Sequence, residues 1–152
     1  LQNILLKFPA KINTNIIPTT IYIEPELSQV GYTKHGAELE FGAQNIICIR
    51  QKLETNDRSV AESNINGLVQ LIARRNGKLI GATIFAPHAG ELIQTCTLAI
   101  TQKLKLNALA RLSFPYPSYG ETIKHAANSL YSRILFGTKM NWLVKLRFIL
   151  LP

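Results

Sequence analysis

Apolar positions recur along this chain at two periods, and blocks of one period give way to blocks of the other. Near the start, "NTNIIPTTIYIEPEL" carries β-branched and aromatic side chains around Ile21, Tyr22 and Ile23. The run predicts a strand that opens at Pro18 and closes at Pro25. Gly31 marks a turn, and Thr33 has the side chain to cap a short helix over 34–41. A second strand follows in "AQNIICIRQKL", where the unbroken apolar run 46–49 predicts burial on both faces. "GLVQLIARRNGKLIGATIFA" reads as two strands folded into a hairpin at Asn76-Gly77. The period then lengthens: Leu92, Ile93, Cys96, Ala99 and Ile100 share one face of a helix. Asn107 offers a cap for a further short helix, and "FPYPSYGE" at 114–121 leads into a long one. There Ile123, Ala127, Leu130 and Ile134 form the apolar stripe, and Gly137 supplies a stop. Ser118 and Glu121 have the spacing of a capping box, in which each side chain satisfies a backbone N–H of the helix start.

Strands come first and helices last, with a hairpin between. The order predicts an α+β domain, an antiparallel sheet with helices packed on one side. At 152 residues the chain suits a single domain over 1–152, long enough to bury roughly 70% of its unfolded surface without a metal or disulfide. Its first residue is Leu1 and its flank lacks the pattern of a signal peptide, so it reads as a piece cut from a longer protein. Residues 138–152 form an apolar-basic tail whose apolar run falls short of the roughly 20 residues a bilayer span takes. Core packing, a partner and a membrane surface all stay open for it, with membrane contact the least favoured.

Seventeen Lys and Arg against nine Asp and Glu leave a net charge of +8, but the basic residues are scattered, so no nucleic-acid partner is expected. Cys48 and Cys96 each lie in an apolar run, the setting of buried, inert thiols, and no disulfide is legible from their spacing. Such thiols fit a reducing compartment, and a cytoplasmic location is expected. There is no glycine-rich phosphate loop, and His35, His88 and His125 do not stand at zinc-ligand spacing, so no metal site is expected. His88 is expected to cap the helix that follows it or to meet solvent. Glu121 and His125, four apart, read as a helix-surface pair.

The order of motifs resembles the C-terminal dimerisation domain of the pyridine nucleotide-disulfide oxidoreductases. The family's strand-and-turn is met by Ile23, Pro25, Glu26, Ser28, Val30 and Gly31, and its Asp-Arg-Ala by Asp57, Arg58 and Ser59. Its hairpin-to-helix pattern is met by Leu79, Gly81, Ala86, Ala89 and Glu91. The stretch Phe114, Pro115, Tyr116, Glu121, Lys124, Ala126 and Ala127 resembles the mercuric-reductase-like branch most. The resemblance covers about residues 15 to 130.

What the resemblance implies is specific. The FAD and NAD(P) domains would lie upstream in the same protein, and this chain would bind neither cofactor and be inactive alone. It would form a two-fold homodimer in which a loop reaches the partner subunit's active site, near the flavin. Where relatives carry a histidine on that loop, this chain has Tyr116, followed by Pro117 and Glu121. Tyr116 and Glu121 are therefore the catalytic candidates in trans, with Tyr116 and Pro117 close to the partner's FAD. The resemblance also admits a cis peptide before Pro117. A phenol, with a reference pKa of about 10, is a poor general base, so ordinary dithiol chemistry is not implied. Mercuric reductase ends in a vicinal cysteine pair, and this chain has no cysteine beyond Cys96, which leaves the substrate open. For Glu121 two roles compete, a cap on the Ser118 backbone and a partner for the Tyr116 hydroxyl. The alternative from another class is a non-enzymatic homo-association module with a membrane-peripheral tail.

Overall fold

The structure, a computed structural model, describes residues 16–136. The expectations that fall on Leu1, Gly137, the 138–152 tail and the side chain of Ile134 lie outside what is described. Five antiparallel strands form one sheet: β1 (Thr19–Ile21), β2 (Glu26–Gly31), β3 (Ile46–Lys52), β4 (Leu68–Arg74) and β5 (Leu79–Ala86). Their order is β1-β2-β5-β4-β3. Five helices accompany them: α1 (Lys34–Phe41), α2 (Asp57–Ala61), α3 (Ala89–Thr101), α4 (Leu106–Ala110) and α5 (Glu121–Phe136).

The β4–β5 hairpin at the centre follows from local chemistry. Gly77 takes φ +83°, the left-handed conformation that its lack of a Cβ permits, and its N–H bonds the Arg74 carbonyl at 2.7 Å. Alternate residues then face one way: Val69, Leu71, Ala82, Ile84 and Ala86 are buried together. On that face α3 lies over β2 and β5, while α5 lies over β3 and β4 with α4 against it. The predicted stripes of these helices do the packing. Ile93, Cys96, Ala99 and Ile100 of α3 and Ile123 and Ala127 of α5 join the core, with Leu92 and Leu130 packed against it half-buried. The α+β expectation is borne out. On the second face, Ala37 of α1 packs with Ile72 and Ile80.

Three local expectations need correction. Glu26–Gly31 is a strand in its own right, pairing β1 on one side and β5 on the other, where the residue pattern alone suggested a turn at Gly31 and only the family resemblance a strand before it. The run at 46–49 lies on the sheet edge, and of its members only Ile49 is buried; Cys48 is half-buried. Asn107 lies inside α4, whose cap position is Lys105 with no side-chain hydrogen bond. By contrast Thr33 caps α1 as expected, its hydroxyl accepting from the Gly36 N–H at 3.0 Å.

Where β2 meets β5 the two backbones come unusually close. Gly31 pairs with Gly81, and a Cβ on Gly81 would stand 1.9 Å from the Tyr32 carbonyl oxygen. That approach lets the Tyr32 N–H reach the Ile80 carbonyl at 3.0 Å and fixes where the chain leaves the sheet for α1.

Candidate functional site

After β3 the chain makes a 3-10 turn over Leu53–Thr55 and then the short helix α2, and this excursion is the seat for the 114–121 loop. Asn56 joins the two. It is 1% exposed, and its Oδ1 accepts from the Ser59 N–H at 3.0 Å, capping α2, and from the Ser59 hydroxyl at 3.2 Å. Its Nδ2 donates to the Ser118 carbonyl at 2.9 Å, across 62 positions of sequence. One buried amide thus caps a helix and holds the loop.

Two tyrosines of the loop are bonded to acids in the stretch that follows that amide. The Tyr116 hydroxyl donates to Asp57 Oδ2 at 2.8 Å, and the Tyr119 hydroxyl donates to Glu62 Oε2 at 2.8 Å. The exposures differ sharply: Tyr119 is 7% exposed and belongs to the core, whereas Tyr116 is 72% exposed. Glu62 is also paired with Arg58, and the His88 ring stands edge-on to Tyr119 at 6.3 Å. The bond from Tyr119 holds the Glu62 carboxyl below its usual range, while burial pushes the Tyr119 phenol up. Asp57 does the same to Tyr116: the hydrogen bond first, then the carboxylate's charge, raises that phenol above its ordinary value, and Glu121's charge adds a smaller push.

Chemically, Tyr116 is held as a neutral phenol whose hydrogen points back into its own chain. With its one hydrogen so engaged, the exposed hydroxyl can offer an outside group only its oxygen lone pairs, as an acceptor rather than a donor.

Glu121 takes the first of its two candidate roles. Its Oε2 accepts from the Ser118 N–H at 3.2 Å, one half of the predicted capping box. The other half does not form, because the Ser118 hydroxyl is buried without a partner. The start of α5 is wound tight instead, with three successive i→i+3 bonds onto the carbonyls of Ser118, Tyr119 and Gly120. The Tyr116–Pro117 peptide is cis. Phe114 closes the loop from behind: a Cβ on Gly120 would lie 2.5 Å from its ring. Sequence reasoning placed Tyr116, Pro117 and Glu121 on this loop but missed Asn56, Asp57 and Glu62. The one available signal was the Asp57-Arg58 pair within a recognised motif, which carried no hint of what it touches.

Other candidates fall away from the site. His88 occupies the N-cap position of α3 at φ +58°, but its side chain makes no cap; Glu26 of β2 does, accepting from the Gly90 N–H at 2.8 Å. His125 is exposed and makes no ion pair with Glu121 among the described residues. Cys48 and Cys96 are both free thiols, and burial pushes the Cys96 thiol up to about 12. No group of three His, Cys, Asp or Glu among the described residues is placed to hold a metal ion. The groove along β1 and β2 is lined by Ile17, Ile21 and Leu27 and, in like measure, by Thr19, Gln29 and Thr83, with no glycine-rich loop to meet a pyrophosphate. No described helix is long and apolar enough to cross a membrane.

Residues 17–127 match the family of the pyridine nucleotide-disulphide oxidoreductase dimerisation domain. The chain is 34% identical over 121 residues to a mercuric reductase of Acidithiobacillus ferrooxidans, across 79% of this chain and 22% of that protein. It is 31% identical over 118 residues to dihydrolipoyl dehydrogenase 1, mitochondrial, of Arabidopsis thaliana, across 77% and 23%. Among solved structures, LpdA from Mycobacterium tuberculosis aligns with a TM-score of 0.78 at 28% identity, over 85% of this chain and 28% of that one. The HOCl-induced flavoprotein disulfide reductase RclA from Escherichia coli shares the fold, at a TM-score of 0.73 and 22% identity over 84% and 29%. The chain belongs to the pyridine nucleotide-disulphide oxidoreductase family, as its dimerisation domain. It spans less than a quarter of the length of those two curated relatives.

Proposed function

We propose that this chain is the dimerisation part of an FAD-dependent NAD(P)H oxidoreductase of the mercuric-reductase-like kind, and that it presents Tyr116 to the partner subunit's active site. The observation that supports the reading is Tyr116 itself. A side chain 72% exposed is ordinarily free to turn, yet this one is tied by its hydroxyl to Asp57, on a loop held by Asn56 and braced by Glu121. An exposed aromatic held in one pose suits a group meant to meet something outside the chain. In this reading Glu121 acts through the loop and Asp57 orients the phenol, so that Tyr116 receives a hydrogen bond from, or coordinates, whatever the partner subunit brings.

The cofactors would be held by other domains of the full-length protein. Exposed apolar side chains cluster along the β1 edge, at Ile17, Ile21, Tyr22 and Ile23, which is consistent with a surface covered by further protein. Two free thiols accord with the reducing, cytoplasmic setting we propose.

The experiment has two arms. The isolated chain should behave as a dimer in light scattering, retain no flavin absorbance and oxidise no NAD(P)H; a yellow, FAD-retaining preparation would sink the reading. In the full-length protein, Tyr116→Phe should lower turnover about tenfold, the scale of one hydrogen-bonding group at a reacting centre. Unchanged turnover with every acceptor tried would leave the hydroxyl without a catalytic role.

A further inference from the structure

At the other end of β5 from His88 and Tyr119, an open cleft of about 370 Å³ lies where the β4–β5 hairpin, Tyr32 and the end of α3 meet. Ile80 and Ile100 contribute its apolar lining. Tyr32 and Phe41 contribute an edge-to-face aromatic pair, ring centres 5.2 Å apart. The Arg74 guanidinium lies 4.7 Å from the centre of the Phe41 ring, and Lys78 and Lys103 complete the charged part of the lining.

No carboxylate lines the cleft. Among the described residues the ion pairs are Lys34–Glu38, Lys52–Glu54 and Arg58–Glu62, so none of the three cations of the cleft has an acidic partner. Residues 1–15 and 137–152 add no Asp or Glu side chain and five Lys and Arg, at 7, 11, 139, 145 and 147. A filler from either segment would bring like charge to like charge.

We propose that this cleft binds a small organic anion, an aromatic ring bearing a carboxylate, sulfonate or phosphate group. The ring would lie against Tyr32 and Phe41 and the charged group would face Arg74, Lys78 and Lys103. The apolar and aromatic lining disfavours a bare inorganic ion. The volume stands near the lower end of the roughly 300–1,000 Å³ of small-molecule sites, which favours a compact ligand over a peptide. Three cations without internal partners favour an anion over a neutral ring. The site is independent of the Tyr116 loop and of the oxidoreductase reading.

The test uses the 152-residue chain, anilinonaphthalene sulfonate as probe, and uncharged phenylnaphthylamine as its neutral counterpart. The sulfonate should bind saturably, one per chain, and more tightly than the neutral probe, and benzoate should displace it while inorganic phosphate does not. The double substitution Arg74→Gln with Lys103→Gln should weaken the sulfonate about tenfold and leave the neutral probe unchanged, the scale of one charge-assisted contact. Equal affinity of the sulfonate for wild type and variant overturns the proposal. Displacement by phosphate as effective as by benzoate overturns it too, by reducing the site to a patch of charge. A poly-glutamate peptide displacing the probe at lower concentration than benzoate reassigns the surface to a protein partner. Should the variant fail to fold, salt decides on the wild type. Sulfonate affinity that falls with ionic strength while the neutral probe is unmoved supports the site, and parallel behaviour refutes it.

Discussion

Asn56 is where a single substitution should most clearly separate the loop from its seat. Replacing it with alanine removes the cap of α2, worth about 1 kcal/mol. It also strips the Ser118 carbonyl of its 2.9 Å donor, leaving a half-buried oxygen with only the 3.3 Å N–H of Glu121, at a further cost of about 1 kcal/mol. The sum, about 2 kcal/mol, corresponds to a fall of roughly 4–8 °C in melting temperature for a chain of this size. Asn56→Asp divides the two effects. The carboxylate keeps an acceptor for the Ser59 N–H, so the cap survives, but it sets a negative oxygen against the Ser118 carbonyl, and about 1 kcal/mol or more of the loss should remain at neutral pH. Protonation restores a donor toward Ser118, so the introduced carboxyl has a folded pKa above its unfolded value. The penalty is therefore full above that folded pKa and is relieved as pH falls through it. Thermal melts of wild type and both variants across pH read the energies. Hydrogen exchange at residues 118–120, faster in both variants at neutral pH, reads the loop itself. An Asn56→Asp chain that melts with the wild type at neutral pH would refute the idea that this amide holds the loop.

Further outcomes follow from the loop's seat and from the sheet. The Tyr116 phenol is raised by Asp57, so its bond is intact below the ordinary phenol value and lost as pH rises through the raised one. Asp57→Asn should bring its titration down, read from tyrosinate absorbance by difference against Tyr116→Phe, and an unmoved midpoint would mean that the pair does not persist in solution. Gly81→Ala should destabilise by about 1–3 kcal/mol in denaturant melts because its Cβ meets backbone. Gly77→Ala should cost only about 1 kcal/mol, since there the nearest atom is 3.9 Å away and conformation alone opposes it; equal losses would contradict the close approach of β2 to β5.

What was legible in the chain is what its neighbours in sequence decide. The Asn76-Gly77 hairpin, the Thr33 cap and the stripes of α3 and α5 are local, and each forms where its pattern placed it. β2 was not legible in the residue pattern itself, only through the resemblance, because both of its partners are set by pairing, and Pro25 suggested an end to the strand rather than a turn into a second one. The edge position of β3 is likewise a property of the sheet, which an apolar run cannot announce. The candidate loop was found through its resemblance. Its seat was not, because Asp57–Tyr116 and Asn56–Ser118 join residues 59 and 62 apart, and no period or spacing points from one stretch to the other.

The hold that residues 56–62 have on the 114–121 loop sets the terms for transplanting it. Grafted alone into another scaffold, FPYPSYGE would carry its half of a capping box but lose the Asn56 amide and both acids that tie down its tyrosines. The unit that can be moved is the pair of stretches with the core that spaces them. A histidine installed at 116 would inherit Asp57 as its neighbour, a carboxylate that favours the charged imidazolium. Re-tuning the chemistry of position 116 is thus a two-residue problem, with the second residue almost sixty positions upstream.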